Sequence, residues 1–141
     1  MPGSFIDTHV LAYLASSDRA KADRAEEIVR DGGVISVQVL NELANVARRK
    51  MTLSWAETRD LLSAVRGLLS VRPLTADVHD AGLALAERYG LAIYDAMIAA
   101  SALDADCEVL WSEDMQHGLS INSRLRIADP FRPVAPPPAS R

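Results

Sequence analysis

Cysteine is nearly missing from this 141-residue chain: Cys107 stands alone. That excludes an internal disulfide framework and any cysteine-clustered zinc site. Aromatic residues are scarce, at 5%, so a core has to be assembled from Leu, Val, Ile and Ala. The three histidines, His9, His79 and His117, lack metal-ligand spacing. Basic charge is also in short supply. Lys and Arg total 15 against 19 Asp and Glu, a net charge of −4, which argues against coating nucleic acid by bulk charge. No apolar run is long enough to span a bilayer. The N-terminus has no basic start of a signal peptide, and Asp7 and His9 interrupt its apolar stretch. The expectation is a cytoplasmic enzyme or binding domain with no membrane contact.

What is present suits one globular domain. Hydrophobic residues make 49% and charged residues 24%, ordinary values for a folded chain of this size. Ser4 to Ile6 reads as a short buried strand ending at Asp7, with helical character from Val10 to Leu14. Asp18 to Arg30 is a polar helix with a stripe of Ala22, Ala25, Ile28 and Val29, stopped by Gly32 and Gly33. Val34 to Ser36 is a second strand, followed by a helix from about Val37 to Lys50.

Ser54-Trp55-Ala56-Glu57 is a capping-box pattern opening a helix to about Leu69. Trp55, Leu61, Leu62, Val65 and Leu69 form its apolar face, read as core. Val71 to Leu74 is a strand that Pro73 sends to an edge. Thr75 to Tyr89 is a helix closed by Gly90, and Tyr94 to Leu103 is a helix of small residues. Glu108 to Trp111 and Leu125 to Ile127 are further strands. Strands alternating with helices predict an α/β domain with a mainly parallel sheet. The Pro-rich stretch 132–141 reads as a flexible C-terminal tail.

Four acids share a logic of placement. Asp7 closes the first strand, Asp95 opens the small-residue helix, Asp114 follows the fourth strand, and Glu42 lies in the helix after the second. A parallel sheet gathers its strand-to-helix transitions along one edge. Carboxylates brought together repel one another, and a hard divalent cation relieves the conflict. Each acid also has a plainer reading. Asp7 and Asp95 suit helix caps, Asp114 and Glu113 suit solvated loop charges, and Glu42 suits an exposed helix position. Arg48, Arg49 and Lys50 form the one compact basic run. It either complements a helix dipole or meets nucleic acid, and Arg49, two turns from Glu42, is the candidate for RNA contact.

Four stretches together carry a family resemblance: Phe5-Ile6-Asp7-Thr8-His9-Val10-Leu11, Val39-Leu40-Asn41-Glu42-Leu43, Tyr94-Asp95-Ala96-Met97-Ile98-Ala99-Ala100, and Leu110-Trp111-Ser112-Glu113-Asp114-Met115-Gln116-His117-Gly118. The chain resembles PIN-domain ribonucleases, and more narrowly the VapC toxins of bacterial toxin–antitoxin pairs. The resemblance implies a three-layer PIN-like domain over residues 1–131. It implies that Asp7, Glu42, Asp95 and Asp114 are the catalytic acids and bind Mg²⁺ or Mn²⁺. Thr8 and Ser112 match supporting polar positions, and Glu113 is an extra acid ranked as auxiliary. His9 departs from the pattern, where Asn is common. The activity implied is hydrolysis of RNA phosphodiesters, in tRNA or rRNA for instance, by the toxin of a pair that is a homodimer and meets a cognate antitoxin. The alternatives are a metal-dependent nuclease or phosphatase acting on DNA or small phosphoesters, and a PIN-like module that binds protein without catalysis.

Overall fold

The computed structural model describes residues 3–132. All but the first residue of the expected 132–141 tail therefore lies outside the described residues. Six strands form one sheet: β1 (Ser4–Ile6), β2 (Val34–Ser36), β3 (Ser70–Arg72), β4 (Val109–Trp111), β5 (Ser120–Ile121) and β6 (Leu125–Ala128). Their order across the sheet is β3-β2-β1-β4-β6-β5. Every neighbouring pair is parallel except β5 with β6. The sheet is flanked by α1 (Thr8–Ala12), α2 (Arg19–Arg30), α3 (Val37–Arg49), α4 (Trp55–Leu68), α5 (Ala76–Tyr89) and α6 (Ile93–Asp104). This is the α/β, mainly parallel arrangement expected. Among the described residues no helix is long and apolar enough to cross a membrane.

Local chemistry sets most of these boundaries. Asp18, Ser36, Ser54 and Thr75 each cap a helix by accepting a backbone N–H. The reciprocal bonds of Ser54 and Glu57 close the capping box. Gly90 ends α5 in the left-handed region, with φ +67°, where a Cβ is disfavoured. Ala22, Ala25, Ile28 and Val29 are the buried stripe of α2. Phe5, Ile6, Ile35, Leu110 and Ile127 sit on the central strands with no exposure. Burying side chains of this size stabilises the fold by about 1.5–3 kcal/mol each.

Three local expectations change. The first helix begins at Thr8, not Val10, because the Asp7 side chain caps it directly. β5 is an addition to the expected strands. It is two residues long and joins β6 through Asn122, Ser123 and Arg124, the first two at positive φ, with Arg124 N–H donating to Ile121 O at 3.0 Å. That is a type I′ hairpin turn without the usual Gly. The α4 face is only partly core: Val65 and Leu69 are buried, while Trp55 and Leu68 stand open to solvent.

The topology fixes where a site can form. From β1 the chain crosses to β2 on one side, and β4 lies on the other. The sheet order therefore reverses between β1 and β4, and the carboxyl ends of those strands bound a crevice, the usual ligand position in open parallel sheets.

Candidate active site

Asp7 leaves β1 at that crevice and Ser112 leaves β4 opposite it. Their strands are tied where they end, Asp7 N–H donating to Trp111 O at 2.9 Å. The Ser112 hydroxyl donates to Asp7 Oδ2 at 2.8 Å and accepts from Met115 N–H at 3.2 Å. Ser112 thus orients Asp7 and turns the chain that carries Asp114. Thr8 makes the matching connection on the other side. Its N–H donates to Asp7 Oδ1 at 2.7 Å, and its hydroxyl donates to Glu42 Oε2 at 2.9 Å. Glu42 comes from α3, placed by the Ser36 cap at the end of β2.

A pocket of about 210 Å³ is lined by Asp7, Thr8, His9, Glu42, Asp95 and Asp114, together with Asn45, Val46, Lys50 and Ile98. All four predicted acids therefore meet at one depression. Asp7 is only 4% exposed. Burial pushes its pKa up from 3.8 to about 6, against the lowering effect of the Ser112 and Thr8 hydrogen bonds, and the charges of Asp95 and Asp114 push it further. Asp95 is also raised, by burial first and then by Asp114. Among the described residues, Asp7, Glu42 and Asp95 have no Lys, Arg or His nitrogen within 4.0 Å. The pocket therefore sets four carboxylates against Lys50 and His9, a surplus of negative charge.

Asp95 is not a cap. Ala92 takes that position without a side-chain bond, and Asp95 is the third residue of α6. The plainer reading of Asp7 as a cap is correct as far as it goes, but the same carboxylate also faces the pocket. Two further candidate residues, the auxiliary Glu113 and the RNA-contact candidate Arg49, stand outside the pocket. Glu113 accepts from Tyr13 Oη and Lys21 Nζ, each at 2.7 Å. Successive residues diverge here, with Asp114 turned to the pocket and Glu113 to α2. Arg49 lies outside it too, in the adjoining depression. The basic residue at the pocket is Lys50. His9, in sequence no more than a departure from the family pattern, lines the pocket and pairs through Nδ1 with Asp114. Lys50 belongs to the basic run of the sequence, in which Arg49 is the preferred member, and Asn45 lies one turn after Glu42 on α3. On a curved site wall, position along the helix does not say which flank faces in.

The donor set suits a hard divalent cation. It is made of carboxylate oxygens, the ligands that Mg²⁺ and Mn²⁺ prefer, and its negative charge exceeds what the lining's basic side chains offer. The side chains are not gathered around one point, however. Among the described residues no three His, Cys, Asp or Glu groups form a closed metal-binding cluster. Asp114 is held by His9 and Glu42 by Thr8, so a cation would have to draw them inward.

A family model for the PIN domain matches residues 4–118. No curated protein matches the sequence significantly. Several solved structures share the fold. A toxin–antitoxin complex from Klebsiella pneumoniae matches with a TM-score of 0.69 and 22% identity, over 92% of this chain and 98% of that one. VapC20 of Mycobacterium tuberculosis, described as a sarcin-ricin loop cleaving toxin, matches with a TM-score of 0.65 and 19% identity, over 79% and 92%. VapBC2 of Rickettsia felis, bound to a promoter DNA fragment, matches with a TM-score of 0.58 and 20% identity, over 79% and 87%.

Proposed function

The chain belongs to the PIN-domain family, and from that premise we propose that it is an Mg²⁺- or Mn²⁺-dependent endoribonuclease that acts as the toxin of a toxin–antitoxin pair. The observation that carries this reading is the meeting of Asp7, Glu42, Asp95 and Asp114 at one pocket on the carboxyl edge of the sheet. Asp7, Asp95 and Asp114 would hold the cation, with Glu42 holding a second ion or orienting water. A bound divalent cation supplies Lewis-acid chemistry, lowering the pKa of water and offsetting phosphate charge. Ser112 and Thr8 fix the Asp7 carboxylate from both sides, and Thr8 fixes Glu42. Lys50 places a positive charge at the rim that can meet the substrate backbone, and Arg49 can extend that contact next door. No covalent nucleophile is needed.

The structural relatives that are toxin–antitoxin complexes, and the one described as cleaving the sarcin-ricin loop, support an RNA substrate such as rRNA or tRNA and a cognate antitoxin partner. A homodimer in the cytoplasm completes the proposal. The test is cleavage of total cellular RNA by the purified chain with Mg²⁺ or Mn²⁺, with single-stranded DNA as control. Cleavage should stop with a chelator and in Asp7→Asn, whose fold is checked by circular dichroism. An Asp7→Asn protein as active as the wild type would end the assignment.

A further inference from the structure

Beside the acidic pocket lies a second depression of about 460 Å³, lined by Ala44, Asn45, Arg48, Arg49 and Trp55. Asn45 lines both, so the two adjoin along the second half of α3. Trp55 opens α4 and is 58% exposed, in a chain where aromatics are rare. Arg48 lays its guanidinium 4.2 Å from the centre of the indole ring. It also donates from Nη1 to Leu53 O at 2.7 Å, which anchors the stacked pair to the backbone. Arg48, Arg49 and Lys50 have no carboxylate within 4.0 Å among the described residues, whereas Lys21, Arg24, Arg30, Arg72 and Arg124 all do.

The dipole of α3 accounts for basic residues at its C-terminus, and the Arg48 bond to Leu53 accounts for the turn into α4. Neither requires an open indole. A flat aromatic face, an immobilised guanidinium plane and two unpaired cations are what a single nucleic-acid strand uses, because every base has a π-face and every link a phosphate. We infer that this depression is a nucleobase-stacking subsite for single-stranded RNA. One base of the strand leading away from the acidic pocket stacks on the Arg48–Trp55 pair, and Arg49 and Lys50 meet its flanking phosphates. The inference rests on the nuclease reading for the identity of the strand.

The test uses the full chain in the Asp7→Asn background, where the strand is not cut, with Mg²⁺ present. Trp111→Phe leaves Trp55 as the sole tryptophan. A short single-stranded oligoribonucleotide should quench its emission at saturation. Trp55→Ala should weaken binding of that oligomer about tenfold, as loss of one base–aromatic stack does. Trp55→Phe should restore most of it, and an abasic strand of the same length should bind all three equally. Arg49→Ala should lower the salt slope of binding by about one, with or without bases. Equal RNA affinity for Trp55→Ala and its parent, or the same loss on the abasic strand, would overturn the subsite. So would a Trp55 requirement confined to binding a protein partner. If the wild type cuts no RNA while Trp55-dependent binding persists, the nuclease reading fails and the subsite stands. If it cuts RNA without any Trp55 dependence, the subsite alone fails.

Discussion

Asp7 is a buried carboxylate in an acidic pocket, and its titration is displaced accordingly. Its folded-state pKa is about 6, above the 3.8 of a free side chain, chiefly because it is buried. A raised carboxylate pKa means that the fold favours the protonated form. The stability this contributes is complete below about pH 4 and is lost as pH rises through about 6. Without a cation at pH 7.5 the ionised group therefore costs the fold about 3 kcal/mol, at 1.36 kcal/mol per pKa unit. Asp7→Asn removes that cost while disturbing the bonds from Ser112 and Thr8. The expected outcome is a variant with no nuclease activity that is roughly 1–3 kcal/mol more stable than wild type at pH 7.5 in chelator, the gap closing towards pH 4. Denaturant melts at the two pH values check it. A variant less stable than wild type at pH 7.5 would show that the hydrogen bonds outweigh the buried charge.

Elements bring these residues to their places, and their joints can be tested one at a time. The loop after β4 is tied to α2 by Glu113, which accepts from Lys21 and Tyr13. Lys21 also lies over the rings of Tyr13 and Phe131. Glu113→Gln should lower stability by less than about 1 kcal/mol, because the pair is partly exposed. It should slow RNA cleavage several-fold, because Asp114 is the next residue along the loosened loop. Unchanged kcat would make the tie purely structural. At the end of α5, Gly90→Ala should cost about 1 kcal/mol by forcing a Cβ into the left-handed region, read as a shift in denaturant midpoint. Features governed by neighbours in sequence, such as this stop, the Ser54 cap and the Ala22-to-Val29 stripe, are legible in the amino-acid sequence itself. Asp7 and Asp114 are legible as well, because strand ends in a parallel sheet share an edge, whereas Glu42 and Asp95 lie within helices, α6 following α5 with no strand between them, and only the family resemblance joins them to the set. The β5 hairpin is hidden there because Asn122-Ser123 lacks the glycine that advertises such a turn. The side to which Glu113, Arg49 and Lys50 point is hidden as well, since it is set by what the fold brings beside each: Lys21 and Tyr13 for Glu113, the acidic pocket for Lys50, and the depression beside Trp55 for Arg49.

At the scale of the whole molecule, the acidic pocket exists only once the sheet has formed. Its acids come from the end of β1, from α3, from α6 and from the loop after β4, so the unfolded chain offers a divalent cation nothing comparable. Binding confined to the folded state must stabilise it. With free Mg²⁺ or Mn²⁺ at about 100 times its dissociation constant, the gain is roughly 2.7 kcal/mol, or a rise in Tm of roughly 8–10 °C for a chain of this size. Sodium at equal ionic strength should not reproduce it, because screening alone leaves Asp7 buried beside Asp95 and Asp114. Asp95→Asn and Asp114→Asn should each shrink the response. Asp7→Asn should begin from a higher metal-free Tm and gain little from the cation. The two effects have one cause, since the charge that destabilises the empty pocket is the charge that would attract the ion. A wild-type Tm indifferent to Mg²⁺ and Mn²⁺ would separate them, leaving a strained acidic crevice with no cation to justify it and depriving the proposed nuclease of its cofactor.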